Sequence, residues 1–186
     1  INMSNENQRL EKCSCSGACC SEESGEKVLV EYLYLDLNAC DRCIGTDKVL
    51  DEIMAVITPA LQLAGYKVEY KKIEMKTAEI AKQFQFLSSP TIRVNGEYIC
   101  ASVEENSCGC CSDISGTDVD CRVFEYNGKT YEVPPKAMLA NDILRCVFGK
   151  SEGNCSCESK YELPVNLKEF FDGKSNEKCS CGEKCC

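Results

Sequence analysis

The chain has 186 residues, of which 18 are cysteine and none is histidine, and its formal net charge is −9. Without imidazole there can be no Ser-His-Asp or Cys-His catalysis and no histidine-ligated metal, so any ion must be held by thiolate, carboxylate, backbone or water. The acidic balance argues against nucleic acid as a partner, and no apolar run approaches the length of a membrane span.

The opening INMSNENQRL has neither an apolar core nor a cleavage-type ending, and it is not expected to be a secretory leader. Ile1 and Asn2 read as residues added ahead of a natural start at Met3. Residues 1–26, rich in Ser, Glu, Asn and Gly, form a tail with little to bury that carries Cys13, Cys15, Cys19 and Cys20. The same C-x-C-x-x-x-C-C spacing returns at Cys179, Cys181, Cys185 and Cys186. Four thiols in so short a segment are poorly placed for disulfides, whose geometry is narrow. They are well placed to converge on a soft ion. Spacing, composition and the expected absence of a leader point to a reducing, cytoplasmic setting.

The folded body is expected over residues 27–149. VLVEYLYLDL (28–37) reads as a buried strand, and a helix is predicted from about Thr46 to Leu63, ended by Gly65 and kinked at Pro59. KVEYKKIE (67–74) reads as a second strand and 77–86 as a second helix. Asn95-Gly96 and Asn127-Gly128 mark two hairpins, flanking a Cys-rich insertion over 100–121. Pro135 opens a last helix that stops at Gly149. Residues 150–186 read as a second Cys-rich, largely irregular tail, with an apolar patch at Tyr161, Leu163, Val165, Leu167, Phe170 and Phe171.

Cys40-Asp-Arg-Cys43 lies between the first strand and the first helix. A helix N-terminus favours a thiolate on the first cysteine, which can attack a disulfide, while the second resolves the mixed disulfide. Arg42 adds favourable charge and Asp41 opposes it. The same spacing is also half of a zinc knuckle. The strand–helix order, the CDRC at the head of the first helix and Ser89-Pro90-Thr91 before a hairpin resemble the thioredoxin-like superfamily. The string ACDRC…SSPTIRVNG…CRVFEYNGKTYEVPPKAM further resembles a prokaryotic thioredoxin-like family of unassigned function, over residues 27–149. The resemblance implies an α/β fold with a βαβαββα core and the insertion before its last helix. It also implies a cis-proline at Pro90 facing the Cys40–Cys43 pair, and a Ser89 backbone that pairs with substrate. Cys40, Arg42, Cys43, Ser89 and Pro90 are accordingly the candidate catalytic residues. Asp-Arg between the cysteines and the absence of Trp depart from the usual thioredoxin motif.

Cys108, Cys110, Cys111 and Cys121 could close a tetrathiolate site, hold an iron–sulfur cluster, staple a loop through zinc, or supply disulfide partners for Cys40 or Cys43. Cys100 could join either group, and Cys146 reads as a small buried hydrophobe. Cys155 and Cys157 form an incomplete copy of the tail motif, whose complete copies resemble metallothionein spacing. No phosphate loop or dinucleotide fingerprint occurs, so neither nucleotide nor flavin is expected. The leading expectation is thiol–disulfide exchange, or capture and transfer of a soft metal or metalloid (zinc foremost, also Cu(I), Hg or As). The partner would be a thiol/disulfide protein or a metal donor or acceptor protein. The alternatives are a non-catalytic metal buffer or iron–sulfur carrier on a thioredoxin scaffold, and a redox sensor.

Overall fold

The computed structural model describes residues 25–100, 104–149 and 161–177. Within them the protein is a mixed α/β structure with two sheets and five helices. Strand β1 (Lys27–Tyr34) is central because its Val28, Val30, Tyr32 and Leu33 are buried. It pairs in parallel with β2 (Lys67–Glu74) and antiparallel with β3 (Thr91–Val94), which continues through a hairpin into β4 (Glu97–Tyr98). The sheet order is β2-β1-β3-β4. Asn95 and Gly96 both adopt positive φ, as do Asn127 and Gly128 in the second hairpin, which is the conformation a two-residue turn of this twist requires.

Helix α1 (Asp41–Leu63) starts five residues ahead of the predicted Thr46, because Cys40 in extended conformation serves as its N-cap. Arg42 and Cys43 therefore ride on the first turn rather than in a loop. The stripe Leu50, Ile53, Met54, Ile57 and Leu61 is buried as its spacing predicts. The helix runs on through Pro59 and closes in a Schellman arrangement, with Tyr66 N–H on the Leu61 carbonyl and Gly65 N–H on that of Gln62, at 3.0 Å each. The short α2 (Ala78–Gln83) is capped by Thr77, whose hydroxyl accepts from Ile80 N–H at 3.3 Å. Helix α4 (Lys136–Phe148) buries Leu139 and Ile143 in one apolar cluster with the α1 stripe.

The insertion is more ordered than its composition indicates. It forms β5 (Glu104–Ser107), α3 (Gly109–Ser115) and the first residues of β6 (Asp120–Tyr126). With β7 (Lys129–Tyr131) these strands make an antiparallel sheet in the order β5-β6-β7. The expectation of a largely irregular C-terminal tail does not hold over α5 (Val165–Glu177). Leu167, Phe170 and Phe171 recur at helical spacing, and all three are buried in a second cluster with Cys108, Cys111 and Val119. The two helices approach so closely that a Cβ on Gly173 would overlap the Ser115 carbonyl. Asn166 on α5 clasps the Asp120 backbone from both sides, accepting from its N–H at 2.9 Å and donating to its carbonyl at 2.7 Å.

Because α5 covers α3, Phe170→Ala should cost about 3–5 kcal/mol of stability, the usual range for a buried aromatic truncated to Ala. It should also speed alkylation of Cys108 and Cys111 in the reduced protein. Denaturant titration together with iodoacetamide labelling measures both effects, and unchanged labelling would show that α5 does not shield the cysteines.

Candidate thiolate centre

Two helix starts meet where the sheets adjoin. Cys40 is the N-cap of α1 and Cys108 is the N-cap of α3. Cys111, three residues after Cys108, lies on the same side of α3, and Cys121 enters from β6. The sulfurs of Cys40, Cys108, Cys111 and Cys121 all lie within 4.8 Å of one another, and those of Cys111 and Cys121 are 3.3 Å apart. All four side chains are buried. A single ion held tetrahedrally at the usual zinc–sulfur length of about 2.3 Å needs sulfurs about 3.8 Å apart, so modest adjustment suits this quartet to one ion.

The quartet draws on both cysteine groups singled out in the sequence. Cys110 lies one helical step from Cys111 and turns away, its thiol 3.7 Å from the Asp41 carboxylate. Cys40 takes the remaining corner of the quartet. Cys43 lies outside the quartet, with its sulfur 3.3 Å from the Ser89 hydroxyl, which itself accepts from Leu35 N–H at 3.2 Å. The Tyr32 hydroxyl donates to the Cys43 carbonyl at 2.7 Å. Cys100 sits apart, 3.3 Å from an Asp142 oxygen, and Cys146 is partly buried beside the α1–α4 cluster. Cys13, Cys15, Cys19, Cys20, Cys155, Cys157, Cys179, Cys181, Cys185 and Cys186 lie outside the described residues.

Arg42 does not face the sulfurs as a free charge. Its guanidinium donates to the carbonyls of Asn106 (3.3 Å), Ser107 (2.8 Å) and Cys121 (3.0 Å) and to the Glu132 carboxylate (2.7 Å). It thereby fastens the backbone on either side of the quartet to the first turn of α1. Ser89 precedes Pro90 in a cis peptide bond, and the Ser89 carbonyl accepts from Arg122 N–H at 2.7 Å. The chain's own strand β6 therefore occupies the backbone edge that the superfamily resemblance assigned to substrate. Arg122 is buried and donates to the Cys100 carbonyl and the Thr91 hydroxyl. Asn166 lies outside any motif, and Arg122 and Glu132 fall inside the CRVFEYNGKTYEV string without an assigned role. Their roles depend on strands and a helix distant in sequence, and only the Cys108-x-x-Cys111 spacing hinted at the second helix start.

The four thiols share protons unevenly. Hydrogen bonds from Cys111, Cys121 and Cys40 hold Cys108 far below the usual thiol range. The complementary hydrogen bonds to Cys108 and Cys111 push Cys40 up to about 12. Hydrogen bonds to Cys108, Cys111 and Cys40 push Cys121 well above its ordinary value. Cys43 is raised too, first by its hydrogen bond with Cys40 and then by burial. In the metal-free quartet Cys108 is thus favoured as a thiolate, with Cys40 and Cys121 as thiol donors to it. A soft dication would replace those protons.

Both Cys40 and Cys121 must lose a proton to become ligands, so affinity should rise with pH. Each proton displaced contributes about tenfold per pH unit. Competition titrations with a chromophoric chelator from about pH 6 to about pH 8 should therefore show the quartet's apparent zinc affinity climbing by about a hundredfold per unit. A pH-independent affinity would mean that these thiols are already ionised.

No curated protein and no solved structure matches the chain. A family described as a domain of unknown function, DUF2703, matches residues 28–143. That stretch holds all four quartet cysteines together with Cys43, Ser89 and Pro90, and it ends before α5. The chain belongs to the DUF2703 family.

Proposed function

We propose that this protein binds a single soft metal ion, of which zinc is the foremost candidate, in a buried tetrathiolate centre built on a thioredoxin-like scaffold. The observation that carries the reading is the convergence of four buried sulfurs from three separate chain segments within 4.8 Å. A multi-iron cluster is a poorer fit, because its cysteines ligate different irons and stand further apart. The scaffold assignment is supported by the β2-β1-β3-β4 order and by Ser89, the residue before Pro90, lying against Cys43 on the first turn of α1. Capture or hand-over of the ion, rather than general disulfide reduction, is favoured by the fully buried Cys40 and Cys43 and by β6 lying on the Ser89 carbonyl. Thiol–disulfide exchange stands as the second reading, because Cys43 is positioned against Cys40 at the start of a helix.

Anaerobic reconstitution of the full chain separates the two readings. Cys40→Ser, Cys108→Ser and Cys121→Ser should each bind one zinc equivalent less than the unmodified chain, whereas Cys110→Ser and Cys43→Ser should lose none. Cobalt(II) loading should give tetrahedral thiolate absorption that the first three variants diminish. Equal metal content in all five variants would refute a centre at the quartet.

A further inference from the structure

Cys43 is the buried thiol that the metal centre leaves unused. It is fully buried, it lies on the first turn of the helix that Cys40 caps, and it is held by the Ser89 hydroxyl on its sulfur and the Tyr32 hydroxyl on its carbonyl. In the loaded centre Cys108, Cys111 and Cys121 would all be coordinated. Among the described residues, Cys43 would then be the buried uncoordinated thiol, one helical turn from the ligand Cys40, since Cys110 turns out toward Asp41. Cys40 therefore belongs to two arrangements, the quartet and the Cys40–Cys43 pair, and cannot serve both at once.

Resting on the single-ion reading above, we propose that Cys40 is the shared sulfur of a redox-gated metal donor, in which a peroxide converts Cys40 and Cys43 to a disulfide and frees the ion. The Cys40 thiolate attacks one peroxide oxygen, the O–O bond breaks, and Cys40 becomes a sulfenic acid as hydroxide leaves. The Cys43 sulfur then attacks the Cys40 sulfur. The S–S bond forms, the S–O bond breaks, and the departing hydroxide takes the Cys43 proton as water. Two sulfurs give up two electrons in all, and one peroxide is reduced to one water and one hydroxide. With Cys40 in the disulfide, only Cys108, Cys111 and Cys121 remain as thiolates, and this incomplete set would no longer retain the ion. The two cysteines, three residues apart at a helix start, are close enough to bridge without drawing on the three ligands from the insertion.

The test is a hydrogen peroxide titration of the zinc-loaded full chain, with disulfides mapped by peptide mass. Zinc release is counted against Cys108→Ser, in which the quartet is broken. The expected result is a Cys40–Cys43 disulfide accompanied by loss of the one zinc equivalent that Cys108→Ser lacks. In Cys43→Ser the same dose should leave Cys40 as a sulfenic acid that dimedone traps, with no disulfide at Cys40. Zinc that is bound but retained after oxidation, or released with a Cys111–Cys121 or Cys108–Cys111 bond instead, overturns this inference and leaves the metal reading standing. A chain that binds no more zinc than Cys108→Ser before any oxidant is added overturns the metal reading, and this inference with it.

Discussion

The Arg42 guanidinium holds the two halves of the molecule in register. It is a buried cation on the first turn of α1, and its acceptors are three carbonyls from β5 and β6 together with the Glu132 carboxylate. A buried charge is tolerated when its donors are all directed at acceptors, and removing those partners is costly. The planar, multi-donor geometry of arginine suits this role, whereas a lysine would supply one compact charge. Because Ser107 and Cys121 are among the carbonyls it grips, and Cys108 follows Ser107, the same contact sets the distance between Cys40 and its three sulfur neighbours.

A second tie acts nearby. The Arg122 N–H to Ser89 carbonyl bond carries β6 across the turn before Pro90, so the insertion is laid over the start of α1 instead of projecting from the fold. On its outer side the insertion is closed by α5, whose Phe170 and Phe171 pack in the same cluster as Cys108 and Cys111 and whose Asn166 pins the residue before Cys121. Polar ties on one side and apolar cover on the other leave the sulfurs in a buried, confined space. There thiol–thiol hydrogen bonds dominate their protonation, and a thiophilic ion would meet a largely preformed site.

Much of this was legible from residue order. The β1 run, the α1 stripe, both Asn-Gly turns, the Pro135 helix start and the Cys40-x-x-Cys43 position follow from local rules of period, turn chemistry and capping. So did the cysteine-rich character of the insertion. The start of α1 was misjudged because a cysteine N-cap carries no strong capping signal, whereas Thr46 does. The fold of α5 was underestimated because its apolar face is only three residues wide and gains stability from α3, which is itself a seven-residue helix.

Sequence by itself determined the ligand supply: with 18 cysteines and no histidine, a soft ion would meet thiolates and no imidazole. It also put the Cys40-x-x-Cys43 pair between the first strand and the first helix. Only the tertiary structure decided which four sulfurs meet. Helical periodicity rotates Cys110 out to Asp41, while the docking of β6 on Ser89 and Arg42 brings Cys40 in from 68 residues upstream of Cys108. That choice rests on contacts between segments far apart in the chain, whose closure no local pattern encodes.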